Sequence, residues 1–173
     1  METIRIANQF ADRVWQYRDT FSIDNIMLYG SLARGAAKPK DIDLMIIHDG
    51  SGILEEMQGI TSDESFSNNL KRYDYFLGLL KKVGLEGDVF ESEDGIKRAL
   101  SENFLNIQYL NKKFFSDDNF ALQMISLNSD PNFYVNIFSD GLLWDPNEKL
   151  FLIRANERYG IKRIQFILHS LNI

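Results

Sequence analysis

The amino-acid sequence predicts a mixed α/β domain, a twisted sheet flanked by helices, and three observations carry that expectation. Ile4, Ala7, Phe10, Ala11, Val14 and Trp15 recur at helical spacing near the N-terminus. Two short apolar runs, residues 26–29 and 44–47, are separated by a Gly-Ser turn and a loop of small residues. The second run is apolar without alternation, the pattern of a strand buried on both faces.

The elements follow in order. An amphipathic helix is expected over residues 3–19, then a turn at Ser22-Ile23-Asp24-Asn25. A first strand covers 26–29 and a second 41–48, closed by Asp49-Gly50-Ser51-Gly52. A second helix spans 65–83, with Phe66, Leu70, Tyr73, Leu77 and Leu80 inward and Gly84 as its stop. Residues 94–105 read as helical through Ile96, Ala99 and Leu100. Residues 106–115 and 120–127 read as two strands joined by a hairpin-like turn at Ser116-Asp117-Asp118-Asn119. Asn128-Ser129-Asp130-Pro131 opens a short helix that contains Phe133 and Ile137 and stops at Asp140-Gly141. Leu142-Leu143-Trp144 is a last short strand, and a C-terminal helix is expected over about 147–171, interrupted at Gly160. Neither a repeat nor a linker divides the chain, so residues 1–173 are read as one domain.

Composition bounds the function. The chain is 45% hydrophobic, which supports a real core and argues against disorder. There is no cysteine, which excludes disulfide staples and thiolate metal sites and suits a reducing cytoplasm. No segment approaches the 18 or so apolar residues of a membrane span, so a cytoplasmic protein is expected. The net charge of −6 argues against binding to a nucleic-acid backbone, which calls for a basic face. It does not argue against a nucleotide whose charge is carried by a metal ion.

The chemistry concentrates in residues 26–48. Side chains alternate along a strand, so Asp41 and Asp43 face the same way with Cα atoms about 6.5–7 Å apart. Two carboxylates on one face suit a hard divalent cation such as Mg²⁺, which is held by one or two carboxylates together with phosphate oxygens. Gly30 lets a backbone approach a ligand closely. Ser31 offers a hydroxyl at a position suited to capping a short helix, whose first N–H groups favour phosphate. The competing reading makes Gly30-Ser31 an ordinary turn and Asp43 a solvent-facing residue. Burial of the run that follows weighs against it, because a carboxylate entering a buried strand requires a partner.

Gly30-Ser31, nine residues, and then Asp41-Ile42-Asp43, with Ala33-Arg34-Gly35 between, resembles the signature of the DNA polymerase beta-like nucleotidyltransferase superfamily. The likeness is greatest to its minimal nucleotidyltransferase branch. The resemblance implies the polymerase beta-like fold, with Asp41 and Asp43 as catalytic residues holding Mg²⁺ or Mn²⁺. It implies a nucleotide seat made by Gly30, Ser31 and Arg34, with Tyr29 beside it. The implied activity is transfer of a nucleoside monophosphate, AMP being favoured, from a nucleoside triphosphate to a hydroxyl of a protein partner or a small molecule. Relatives carry a third acid on a later strand. The segment aligned to it here, residues 120–127, holds no carboxylate and offers Gln123 instead; Asp88, Glu91 or Glu93 on the connecting loop is the alternative source of the acid, and nothing in the pattern selects among the three. That gap keeps a second class open: a catalytically weak or inactive regulator that binds nucleotide or a partner. A template-directed polymerase is disfavoured by charge.

Other candidates are weaker. Lys38 and Lys40 flank Pro39 and read as solvated loop lysines. Arg154, Arg158 and Lys162 would share one face of the C-terminal helix, paired with Glu148 and Glu157. His48 and His169 have no metal-ligand spacing, and no P-loop or dinucleotide fingerprint is present.

Overall fold

A computed structural model of the chain describes residues 2–49 and 105–171. It shows a mixed α/β architecture in which helices cover both faces of a five-stranded open sheet. The sequence readings of helices at 65–83 and 94–105 lie outside the described residues, apart from Leu105, which opens a strand.

Helix α1 spans Glu2–Trp15 and buries Ile6, Ala7, Phe10, Ala11 and Val14. It stops short of the expected residue 19. A separate turn of helix, α2 (Arg18–Phe21), ends at Ser22, whose left-handed φ of 55° redirects the chain into the sheet. Strand β1 (Ile23–Tyr29) therefore begins where a turn was expected, and the turn has shrunk to Ser22. After α3 (Gly30–Ala33) comes β2 (Ile42–His48), and after residues 50–104 comes β3 (Leu105–Asn111).

The remaining elements correct three expectations. A 3₁₀ turn (Lys112–Phe115) follows β3, and residues 120–127 then form no strand; they belong to helix α4 (Asp118–Ser126). Asp117, read as part of a hairpin turn, is the N-cap, its Oδ1 accepting from Phe120 N at 3.1 Å. Ala121, Met124 and Ile125 are buried at helical spacing. Helix α5 (Phe133–Asp140) and strand β4 (Leu142–Asp145) lie close to their expected places.

No single helix occupies 147–171. Asp145 Oδ1 accepts from the backbone N–H of Asn147 at 2.9 Å and of Glu148 at 3.2 Å, and Lys149 takes a φ of 55°. That Asx-type turn closes a hairpin to β5 (Leu150–Arg154). Two helices follow, α6 (Ala155–Arg158) and α7 (Lys162–Ser170), separated around the expected break at Gly160. Arg154, Arg158 and Lys162 thus fall on three elements and share no helix face.

The sheet order is β3-β2-β1-β4-β5. Among the described residues only β2 and β3 run parallel; the other pairs are antiparallel. Alternation sorts the strand residues into two cores. Ile26, Leu28, Leu44, Ile46, Ile107 and Tyr109 pack with α1 on one face. Met27, Tyr29, Met45, Ile47, Leu110 and Leu143 pack with α4, α5 and α7 on the other. At the start of β1, the buried Tyr159 hydroxyl donates to Asp24, which tethers the segment after α6 to the sheet. Burial, and then the carboxylate beside it, hold this phenol well above its ordinary range. Among the described residues no helix is long and apolar enough to cross a membrane.

Gly141 ends α5 with an ordinary φ of −67°, so its requirement is space. A Cβ there would stand 2.7 Å from the Ile137 carbonyl oxygen and 2.5 Å from Met27 Sδ. Gly141→Ala should destabilise the fold by about 1–3 kcal/mol, as overpacking does. Denaturant unfolding checks this, and an unchanged midpoint would show that the α5–β4 junction has slack.

Candidate functional site

The antiparallel register pairs Tyr29 with Asp43, and the parallel register pairs Asp43 with Asn106. Paired residues on neighbouring strands share a face, so one row crosses β1, β2 and β3. The row lies where β1 ends and where β2 and β3 begin. Asp41, just ahead of β2, falls on the same face two residues before Asp43.

Within this row one amide joins both acids. Asn106 Nδ2 donates to Asp41 Oδ2 at 3.2 Å and to Asp43 Oδ1 at 3.2 Å. Asp43 is half-buried, and its carboxyl is held above the ordinary value of 3.8. Burial is the largest cause and the neighbouring Asp41 charge the next, while the Asn106 hydrogen bond and the Arg34 guanidinium pull the other way. A half-buried carboxylate facing a second carboxylate is electrostatically uneasy, and a cation would relieve it.

Gly30 follows Tyr29 directly, with a φ of 78°. A Cβ at this position would run into the Asp43 carboxylate. The glycine thus serves two ends: it turns the strand into α3, and it leaves room for the acid across the ladder. Ser31 does not cap α3. Tyr29 occupies the N-cap in extended conformation with no side-chain cap bond, and Ser31 is the second helical residue. The first N–H groups of such a turn have no acceptor within it. Arg34 closes α3 as an exposed residue, and Lys38 and Lys40 are exposed on the loop to β2. Tyr29 is buried, its ring edge-on to Phe133 at the start of α5 with centroids 6.2 Å apart. It forms the floor behind the acids more than a lining.

The structure brings Gly30, Ser31, Asp41 and Asp43 to one strand end and sets Arg34 close enough to act electrostatically on Asp43. It does not bring Gln123 there, which is exposed on α4. The group that faces the acid pair is Asn106, overlooked in the sequence. A signal existed: Leu105-Asn106-Ile107 repeats the apolar-polar-apolar opening of Ile42-Asp43-Leu44. Among the described residues no cluster of three or more His, Cys, Asp or Glu forms, so the third polar group of the row is neutral. No protein-family model matches the chain, and no curated protein matches it.

Two substitutions test this geometry. In Asp43 the raised value means that the folded state favours the protonated acid, so that contribution is present below about pH 4 and lost as pH rises through the folded value. Asp43→Asn, which keeps an acceptor for Asn106, should therefore melt above wild type at pH 7, with the gap closing towards pH 4. A gap independent of pH would remove the electrostatic account. Gly30→Ala forces a left-handed φ on a residue with a Cβ, at about 1–2 kcal/mol, and displaces Asp43 as well. Thermal melting at neutral pH should show the loss, and Gly30→Ala combined with Asp43→Ala should lose less than the sum.

Proposed function

We propose that this chain is a divalent-metal-dependent nucleotidyltransferase of the polymerase beta-like type, acting on a nucleoside triphosphate, AMP being the favoured group transferred. The observation that carries the reading is the convergence of Asp41 and Asp43 on one shared donor beside the Gly30-Ser31 turn. The mixed sheet flanked by helices is the setting that such a site requires.

The donor set fits a hard cation. Both carboxylates already point at one partly positive group, and all the donors are oxygen-bearing side chains, as Mg²⁺ and Mn²⁺ prefer. Asp41 and Asp43 would hold the ion. When bound, it supplies neutralisation of charge on the α-phosphoryl group and the leaving pyrophosphate. The Gly30-Ser31 turn would seat the β and γ phosphates, and Arg34 would reach the triphosphate from the end of α3. In the transfer, a hydroxyl oxygen of the acceptor would bond to the α-phosphorus, its proton passing to water, while the bond from that phosphorus to the bridging oxygen breaks and pyrophosphate leaves. The acceptor is a protein side chain or a small molecule. The lack of cysteine suits a cytoplasmic setting for this activity.

A second reading is favoured by one residue. Asn106 is neutral where a third carboxylate would strengthen metal binding and accept the acceptor's proton. A domain so built can bind a metal–nucleotide complex and turn over slowly or not at all, acting as a regulator.

Melting with and without ligand tests the site. Mg²⁺ with ATP should raise the melting temperature, since native-state binding stabilises by about 2.7 kcal/mol at 100 times Kd. Asp41→Asn with Asp43→Asn should abolish the shift, and an equal shift in the double variant would take the metal away from this pair. Incubation with α-³²P nucleotides in lysate separates the two readings: a labelled acceptor marks the enzyme, and binding without label marks the regulator.

A further inference from the structure

We infer that Asn106 is a built-in stand-in for a cation, clamping Asp41 and Asp43 while the site is empty, so that a divalent ion enters together with a triphosphate and not alone. The first half of this inference rests on the metal reading above, and the second half on the nucleotide reading as well.

Three features argue for it. The amide bridges the two carboxylates through one nitrogen, with equal distances of 3.2 Å. An amide nitrogen carries two hydrogens, one for each acid. Its carbonyl oxygen, turned the same way, would face two carboxylates, so the pair itself selects the donor orientation. Next, the backbone fixes the amide in place. Asn106 is the register partner of Asp43 in a ladder that continues to His48 and Asn111, so its Cα cannot retreat and only the side chain can turn. Finally, the charge is unusual. Asp41 and Asp43 are joined by no further acid in a cluster of three among the described residues, and the amide answers both carboxylates without adding to the charge.

An ion arriving alone must break both N–H···O bonds and gains only two carboxylates. An ion carried by a triphosphate brings phosphate oxygens with it, and these compensate for the displaced donor. The amide would then give up its two donor bonds, and the phosphate oxygens, not Asn106, would complete the ion's ligand shell. Cation capture is thereby coupled to substrate.

The clamp and its alternative, Asn106 as a direct metal ligand, differ in sign. Free Mn²⁺, titrated into the full chain without nucleotide and followed by its electron paramagnetic resonance signal, reads the difference. The clamp expects weak binding in wild type, several-fold tighter binding in Asn106→Ala, and a gain of at least about tenfold in Asn106→Asp, the scale of ligand-shell changes. A metal-ligand role expects Asn106→Ala to bind more weakly than wild type, and that result overturns the inference. Wild-type affinity equal to that of Asn106→Asp overturns it also. Circular dichroism shows that each variant is folded, and Asn106→Ala carries the test if Asn106→Asp is not. Adding ATP should tighten wild-type Mn²⁺ binding far more than that of Asn106→Asp. If the nucleotide-free titrations behave as expected but no nucleoside triphosphate tightens wild-type binding, the coupling to substrate is overturned while the clamp stands, and the nucleotide reading fails separately.

Discussion

The in-register parallel pairing of β2 with β3 is the constraint on which the site depends. It sets Asn106 beside Asp43 and, through the antiparallel pairing of β2 with β1, beside Tyr29. The same register distributes the apolar residues. Leu44 and Ile46 on β2 fall in one core, and Met45 and Ile47 in the other. A slip of one residue would exchange every side chain between faces, taking Asn106 away from the acids and mixing the two cores. The burial of two cores therefore holds the row of polar residues in register, and the site inherits its rigidity from packing that takes no part in its chemistry.

That rigidity has an electrostatic consequence. Asp43 is kept half-buried against a second acid because Gly30 leaves it no Cβ to meet and the strand leaves it no freedom to turn out. A protein selected for stability alone would place an apolar or neutral residue there. Unease of this kind, held in place by the surrounding fold, is what a cation-binding pair requires in advance of its ligand. The far end of β1 differs. There Asp24 receives the Tyr159 hydroxyl and has Lys112 Nζ at 3.6 Å, so its charge is answered from within.

The legibility of these features in the sequence follows their separation along the chain. Strands β1 and β2 and the turn between them are contiguous, so Gly30, Ser31, Asp41 and Asp43 could be picked out together from spacing and alternation. Asn106 is 63 residues from Asp43, and the apolar-polar-apolar opening that its strand shares with β2 does not by itself say that the two strands pair. Residues 120–127 are apolar enough to suit a strand, but Asp117 decides otherwise by capping a helix, which removes Gln123 from consideration. The C-terminal helix failed for a similar reason. Asp145 and the left-handed Lys149 close a hairpin, and backbone conformation at a single non-glycine residue is not written in hydrophobic periodicity.

Enzyme and regulator are separated by less than the missing acid suggests. A third carboxylate would add charge to a pair already strained by burial, and the fold would then hold three like charges at one strand end. A neutral amide adds no charge, and it donates to both acids at once. On the proposed reading, phosphate oxygens of the nucleotide would supply the ligation that a third acid would have given. What the amide cannot do is accept a proton from the acceptor hydroxyl. On the proposed reading, the departure at Asn106 would therefore bear on the chemical step as well as on cation binding, and an acceptor whose hydroxyl ionises readily would be the least affected in the former.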